Sequence, residues 1–464
     1  MKRSLFLVFT FLSAFMTYGQ DISGAWNGTL AVSGTQLRLV FNITKTPDGY
    51  SSTMDSPDQG ATGIPVTTTT FENLLLKIEL APMQIEYSGK LENDVFIGNF
   101  KQGGQSFPMN LSKEKIEKEI VLRPQEPAKP YPYYSEEISF ENKKEAITLS
   151  GTLTMPAKDG NYPVVILISG SGPQNRDEEL LGHKPFLVLS DYLTRQGIAV
   201  LRYDDRGTGK SNGDFKKATT QNFASDAESA VDYLLTRKEI NKKKIGLIGH
   251  SEGGIIAPIV AARSKNVSYI ILLAGTGIPG GDLLLLQKEL IERASGVSEE
   301  EIKKGQESNK TLFAMVSKSA DSDKLTIDVT SYFREQLKAD PSSKPSAMSE
   351  EDFLAMETKQ VTSPWMQYFI KYDPSVILKD VKCPVLALNG SKDLQVPSKV
   401  NLAAIKAGLE KGGNKNVSIK ELPGLNHLFQ ECSTGSPDEY RKIEQTFSPV
   451  ALKEVSDWIM IQIK

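Results

Sequence analysis

The chain has 464 residues, 39% hydrophobic and 24% charged, with 54 Lys+Arg against 57 Asp+Glu and a formal charge of -3. A chain so long and so apolar can bury a full core, which excludes wholesale disorder, and its near-balanced charge offers no basic face for nucleic acid. Two cysteines and three histidines exclude a disulfide scaffold, a cysteine-rich zinc site and a histidine-rich metal cluster, so neither metal nor other cofactor is expected.

Met1-Lys2-Arg3, an apolar run from Leu5 to Met16 broken by Thr10 and Ser13, and Thr17-Tyr18-Gly19 before Gln20 form the three-part pattern of a signal peptide over residues 1–19. The run is shorter than the roughly 20 residues needed to span a bilayer. No Cys stands at the cleavage point, and no later stretch approaches a spanning length. Cleavage removes Lys2 and Arg3, taking the charge from -3 to -5. The mature protein is therefore expected to be periplasmic or secreted, without stable membrane insertion. Cys383 and Cys432 lie far apart in sequence and are read as unpaired.

Residues 20–113 have period two: Leu37, Leu39, Phe41 and Ile43 alternate with Arg38, Val40, Asn42 and Thr44, and Leu74, Leu76, Ile78 and Leu80 with Leu75, Lys77 and Glu79. Turns recur at Pro47-Asp48-Gly49, Ser56-Pro57-Asp58, Glu92-Asn93-Asp94 and Gly103-Gly104. This predicts a small antiparallel β-rich domain, a meander or barrel. It holds no His and no Cys, so its first reading is structural; a ligand-binding barrel using Trp26 and Tyr87 ranks second. A charged, proline-bearing linker follows over residues 114–135, with Pro124, Pro127, Pro130 and Pro132.

From residue 136 to 464 the pattern changes. Pro163 to Ile168, Ile198 to Leu201, Ile245 to Ile248, Tyr269 to Leu273 and Pro384 to Leu388 are continuous apolar runs, the mark of strands buried on both faces of a parallel sheet. Helical stretches lie between them, such as Phe186 to Gln196 and Asn222 to Leu235. Alternation of the two predicts a mostly parallel, doubly wound α/β sheet. Between Gly275 and Val381 the runs give way to helices at Leu283 to Arg293, Ser298 to Val316, Thr326 to Lys338 and Glu350 to Met356, a lid insertion over about 277–380. Trp365, Phe369 and Tyr372 fall at i, i+4 and i+7 on one helical face. Lid core is their default reading, and lining of the substrate pocket the sharper one.

Gly249-His250-Ser251-Glu252-Gly253 fits G-x-S-x-G, with a buried strand before it and a helix from Gly254-Ile255-Ile256-Ala257 after it. That context lifts a serine hydroxyl clear of the sheet. A serine needs a base, and the base an acid to orient it. His427, in Pro423-Gly424-Leu425-Asn426-His427, is the only histidine after Ser251. Asp393, in Gly390-Ser391-Lys392-Asp393, is the candidate acid by position, with Asp373, Asp380 and Glu421 as rivals. Oxyanion donors are expected at the Glu252 backbone N–H and in the loop Ser169-Gly170-Ser171-Gly172-Pro173. There Ser171 is chosen and Gly172 is the alternative. His250 reads as a packing residue of the turn, and His183 as a loop residue with substrate contact second.

These segments, with Tyr203-Asp204-Asp205-Arg206-Gly207-Thr208-Gly209-Lys210-Ser211, resemble the α/β-hydrolase superfamily, in its bacterial esterase, lipase and serine-aminopeptidase-like branch with an extra N-terminal domain. The resemblance covers about residues 136 to 464 and implies nucleophile Ser251, base His427 and acid Asp393. Many relatives carry His-Gly before the oxyanion turn, where this chain has Ser169-Gly170. Gly209-Lys210-Ser211 is not a phosphate loop, because the required glycine five positions earlier is Asp204. Asp204 and Arg206 instead read as braces beneath the site.

The expected activity is hydrolysis of a small-molecule or saccharide carboxylic ester through an acyl-enzyme. A serine peptidase on the same residues is the first alternative, and a non-catalytic binding protein the second. Oligomeric state, acyl chain length and leaving group are not legible.

Overall fold

The computed structural model describes residues 21–32, 35–102, 105–117, 122–344 and 348–464, so the signal peptide and the Gly103-Gly104 turn lie outside the described residues. The chain divides into two compact units, one running to Glu119 and including Pro341–Glu350, the other Ile120–Asp340 with Glu351–Lys464.

The larger unit is built on eight strands: β1 (Tyr134–Asn142), β2 (Ile147–Met155), β3 (Tyr162–Ile168), β4 (Ala199–Tyr203), β5 (Ile240–His250), β6 (Tyr269–Leu273), β7 (Val385–Gly390) and β8 (Val417–Leu422). Their order across the sheet is β1-β2-β4-β3-β5-β6-β7-β8. Only β2 runs against the rest, since it pairs antiparallel with both β1 and β4 while β3 to β8 pair in parallel. The β1–β2 pair opens the region read from residue 136 as the α/β domain, where no strand was read from the sequence before Pro163. Its edge strand β1 is half solvated and lacks the continuous apolar run of the buried strands.

Why the parallel strands read as apolar throughout is plain in the core. Val164, Ile166 and Ile168 of β3 enter one hydrophobic cluster, and Val165 and Leu167 enter the other on the opposite face. Helices α1 (Pro185–Arg195), α2 (Thr220–Thr236) and α3 (Gly253–Arg263) follow β3, β4 and β5. Proline at the first position of α1 costs no hydrogen bond, and a Thr219/Asn222 capping box starts α2. The stripe Phe223, Ala227, Ala230, Val231 and Leu234 of α2 is buried, as its spacing requires. The chain turns from one side of β3 to the other between β4 and β5, which opens a crevice at the strands' carboxyl ends.

Between β6 and β7 the insertion forms α4 (Gly280–Ala294), α5 (Glu299–Lys318), α6 (Ser322–Ala339), α7 (Glu350–Thr362) and α8 (Pro364–Lys371). Leu312, Val316, Leu325, Val329 and Ile370 make its own small core. From Arg123 onward the linker region is strapped to this unit: the Arg123 guanidinium donates to the carbonyls of Ile443 and Arg441 at 2.7 and 2.9 Å, and Gln125 bonds Phe447 and Thr446.

The smaller unit is an antiparallel half-barrel between Gly24 and Ser112. Strand Ile85–Glu92 alternates buried and exposed residues along its whole length. The curl brings the Ser52 and Thr69 hydroxyls to 2.7 Å. Trp26 and Tyr87 are 2% and 1% exposed and bond the carbonyls of Ile22 and Phe96. Both are core residues, which removes the ligand-binding role considered for them.

Beneath the site, Arg206 is enclosed with Asp226, to which it donates from Nε and a terminal nitrogen at 2.8 Å each. Removing one partner of such a pair strands a buried charge. Arg206→Ala is expected to cost about 3 kcal/mol or more of stability, read as a lower midpoint in chemical denaturation.

Candidate active site

Ser251 directly follows β5 and has φ +52°, in the left-handed region that costs a non-glycine residue about 1 kcal/mol or more. Neighbouring backbone holds it there: Ser251 N–H donates to the Leu273 carbonyl of β6, and Gly254 N–H to the Ser251 carbonyl, at 2.8 and 2.9 Å. A Cβ on Gly249 would collide with the Gly253 carbonyl, and one on Gly253 with the Ile168 carbonyl of β3. Both glycines of the motif are therefore dictated by backbone contact.

His427 and Asp393 come from loops after β8 and β7. His427 Nδ1 lies 2.8 Å from Asp393 Oδ2, and both side chains are buried. Asp393 Oδ1 accepts the backbone N–H groups of Gln395 and Val396 at 2.8 Å each, which pins the carboxylate. A carboxylate on Nδ1 places the proton there and leaves Nε2 as the basic nitrogen. Of the rival acids, Glu421 accepts from Ser398 and Asp373 from the backbone of Ser375. His250, adjacent to Ser251, holds its ring centroid 4.9 Å from that of His427 with the planes tilted by 44°, and its Nε2 lies 2.9 Å from the His427 carbonyl. The serine turn and the histidine loop are thus joined through His250. This gives His250 a bonding role in addition to packing.

Glu252 opens α3, where first-turn N–H groups lack acceptors within the helix. In the loop after β3, the Gly170 N–H is already taken by Glu178 Oε1 at 2.7 Å, and the exposed Ser171 is the next amide. Gly172 stands at φ +95°. The loop is braced from below: Ser169 Oγ and Gln174 N–H donate to the two oxygens of Asp205 at 2.9 Å each, and Arg176 grips Asp204. Burial pushes the Asp205 carboxyl well above the ordinary carboxylate range.

The Glu252 carboxyl accepts from Thr220 Oγ1 at 2.6 Å and from Trp365 Nε1 of α8 at 2.8 Å. Burial raises its pKa against the opposing pull of those two donors. The aromatic trio of the lid divides accordingly. Trp365 is half-buried and touches the residue beside Ser251, whereas Phe369 and Tyr372 are buried in the main core. Phe369 stacks on Trp365 at 4.9 Å and Tyr372 on Tyr368 at 5.7 Å. His183 is fully buried between Thr446, the Tyr440 carbonyl and Gln430, so a substrate contact is removed for it. Sequence reasoning missed Glu178, one acidic residue in an acidic loop with no motif to mark it.

A family model described as serine aminopeptidase, S33, matches residues 185–340. Esterase EstD of Thermotoga maritima is 26% identical over 334 residues, 71% of this chain and 70% of that protein. The chain has the α/β-hydrolase fold. Its strand order, serine turn and lid position form one continuous arrangement, and it is an enzyme of the serine hydrolase or esterase kind. Human acyl-coenzyme A thioesterase 1 is 25% identical over 153 residues, 33% of each chain. The solved esterase Pf2001 of Pyrococcus furiosus is 15% identical with a TM-score of 0.44, covering 75% of this chain and 100% of that one. Among the described residues no helix is long and apolar enough to cross a membrane, and no group of three or more His, Cys, Asp or Glu could hold a metal ion. Cys383 and Cys432 are free thiols.

The raised pKa of Glu252 fixes a pH signature. Its protonated form is favoured in the folded state, so its contribution to stability is complete below the unfolded value of 4.5 and is lost as pH rises through the folded value. A glutamine can accept the same two hydrogen bonds without that loss. Glu252→Gln is expected to gain stability relative to the parent as pH rises above 4.5, and to show no such gain below it, in denaturation series from pH 3.5 to 8.

Proposed function

We propose that the protein is an exported carboxylic-ester hydrolase acting through an acyl-enzyme. The observation that carries this reading is the His427–Asp393 hydrogen bond, tied through His250 to the strained turn bearing Ser251. Ser251 Oγ attacks the acyl carbon while His427 Nε2 takes its proton, and Asp393 stabilises the imidazolium that forms. The Glu252 and Ser171 backbone N–H groups hold the oxyanion. Collapse of the tetrahedral intermediate releases the alcohol, which receives the proton from His427. Water, activated by the same histidine, then frees the acid.

The substrate is a small-molecule or saccharide ester. Trp365, hydrogen-bonded to Glu252, stands at the acyl or leaving-group side, with Phe369 and Tyr372 supporting it from the core. Export follows from the pattern of residues 1–19, and a periplasmic or secreted location with it.

A serine peptidase on the same residues is the second reading, favoured by the aminopeptidase description of the matching family model. An aminopeptidase needs an acid to hold the substrate ammonium, and the acid nearest Ser251 in sequence, Glu252, has Oε1 occupied by Thr220 and Trp365. That favours the ester.

The test is turnover of p-nitrophenyl esters from acetate to decanoate and of aminoacyl-nitroanilides, by the mature protein and by Ser251→Ala. Ester turnover that falls by about 10⁴-fold or more in Ser251→Ala is the expected outcome. Anilide turnover without ester turnover would replace the esterase with the peptidase. Silence on both substrates, with no fluorophosphonate labelling at Ser251, would leave a binding protein on a hydrolase scaffold.

A further inference from the structure

Beside the His427–Asp393 pair lies a second buried histidine–carboxylate pair, His250–Glu178, which the acyl-transfer steps above do not use. Glu178 and His250 are 3% and 6% exposed. A single oxygen, Glu178 Oε1, accepts the Gly170 N–H at 2.7 Å and meets His250 Nδ1 at 2.9 Å. On the other side of the ring, His250 Nε2 meets the His427 carbonyl at 2.9 Å. We propose that Glu178 is a positioning residue: through Gly170 it sets the oxyanion loop, and through His250 it sets the His427 loop, in one geometry around Ser251. This rests on the serine-hydrolase reading above.

Three observations support the assignment. The first is a pairing of donors and acceptors: a side-chain carboxyl oxygen lies on one ring nitrogen of His250 and a backbone carbonyl on the other, an arrangement that favours the ring carrying hydrogens on both. Burial alone would lower the His250 pKa, but the adjoining carboxylate outweighs it and raises it. Hydrogen bonds between charged partners are shorter and roughly twice as strong as neutral ones, so the link is stiff.

The second is where the link runs. The Gly170 N–H bound by Glu178 precedes Ser171, whose amide is the second oxyanion donor. A Cβ on Gly170 would stand 3.2 Å from Ser251 Cβ and 3.4 Å from Glu178 Oε1, so loop, serine and carboxylate meet at one point. Within this short span one carboxylate reaches the oxyanion loop, the residue before the nucleophile and, through the ring, the base loop.

The third is the cost at which Glu178 is held. Its φ is +51°, a conformation that persists only where the surroundings over-determine it. Its Oε2 is buried with no hydrogen-bond partner among the described residues, a desolvation cost that a residue retained for packing alone would shed. His183, a few residues on, bonds Gln430 Nε2 at 3.0 Å and the Tyr440 carbonyl at 2.8 Å, and burial lowers its pKa to about 4. That histidine fixes the far end of the loop, and His250 fixes the end at the active site.

The experiment compares wild type, Glu178→Ala and Glu178→Gln on p-nitrophenyl acetate, with kcat expressed per site labelled by a fluorophosphonate so that misfolded chains are not counted. Glu178→Ala is expected to lower kcat by about 10- to 100-fold while KM stays within about threefold, because the loss falls on transition-state geometry. The glutamine Oε1 can still accept both the Gly170 N–H and a hydrogen on His250 Nδ1, so Glu178→Gln is expected to recover most of the lost kcat. A Glu178→Ala protein with wild-type kcat per labelled site overturns the proposal. So does an equal loss in Ala and Gln variants, or a loss confined to KM. Should Glu178→Ala not fold, His250→Gln, which severs the ring from the His427 carbonyl, carries the same kcat-selective expectation and the same refutation. A wild type that neither turns over ester nor labels at Ser251 overturns the serine-hydrolase reading and this proposal with it. Normal wild-type activity with unaffected variants overturns this proposal alone.

Discussion

The turn that carries Ser251 exists because backbones approach one another there with no side chain between them. Gly249 faces Gly253, Gly253 faces the end of β3, and Gly254 lies against Gly275 in the loop after β6. Three strands and one helix are brought this close so that a serine can stand at a positive φ above the sheet. The same kind of approach recurs at Gly390, where a Cβ would strike the Leu425 carbonyl at the start of the His427 loop. Steric permission at a few glycines therefore places Ser251 and the His427 loop before any side-chain chemistry begins.

Around that turn the polar groups form a buried frame. Asp204 and Asp205, at the end of β4, hold Arg176 and the backbone of the loop after β3 from below. Glu178 holds the loop from the side, and Arg206 with Asp226 ties the same turn to α2. Charges enclosed in this way contribute little net stability, because desolvation offsets attraction, but removing one partner is costly. Their return is a loop fixed to a small range of positions, which an oxyanion site requires.

The lid meets the residue after Ser251 through the hydrogen bond from Trp365 to Glu252, and α8 also meets α2 where Gln221 donates to the Tyr368 hydroxyl. The Glu252 carboxyl thus bonds both α2, through Thr220, and α8, through Trp365. Its raised pKa follows from enclosure, and an acid already held by two donors is poorly suited to receive a substrate cation.

Much of this was written in the sequence. Continuous apolar runs announced strands buried on both faces, and the 3.6-residue stripe of α2 announced its buried side. G-x-S-x-G between strand and helix announced the turn, because each of these signals arises from contacts among residues close in the chain. The β1–β2 pair escaped, since a half-solvated edge strand has no apolar run to betray it. Only the tertiary structure decided that Trp26 and Tyr87 are core, that the lid trio divides between Trp365 bonded to Glu252 and Phe369 and Tyr372 in the core, and that Glu178 meets His250. Those outcomes depend on groups far apart in the chain, 72 residues in the case of Glu178 and His250. Local periodicity determines which face of an element is apolar; which distant acid completes a buried pair is settled only when the chain has closed.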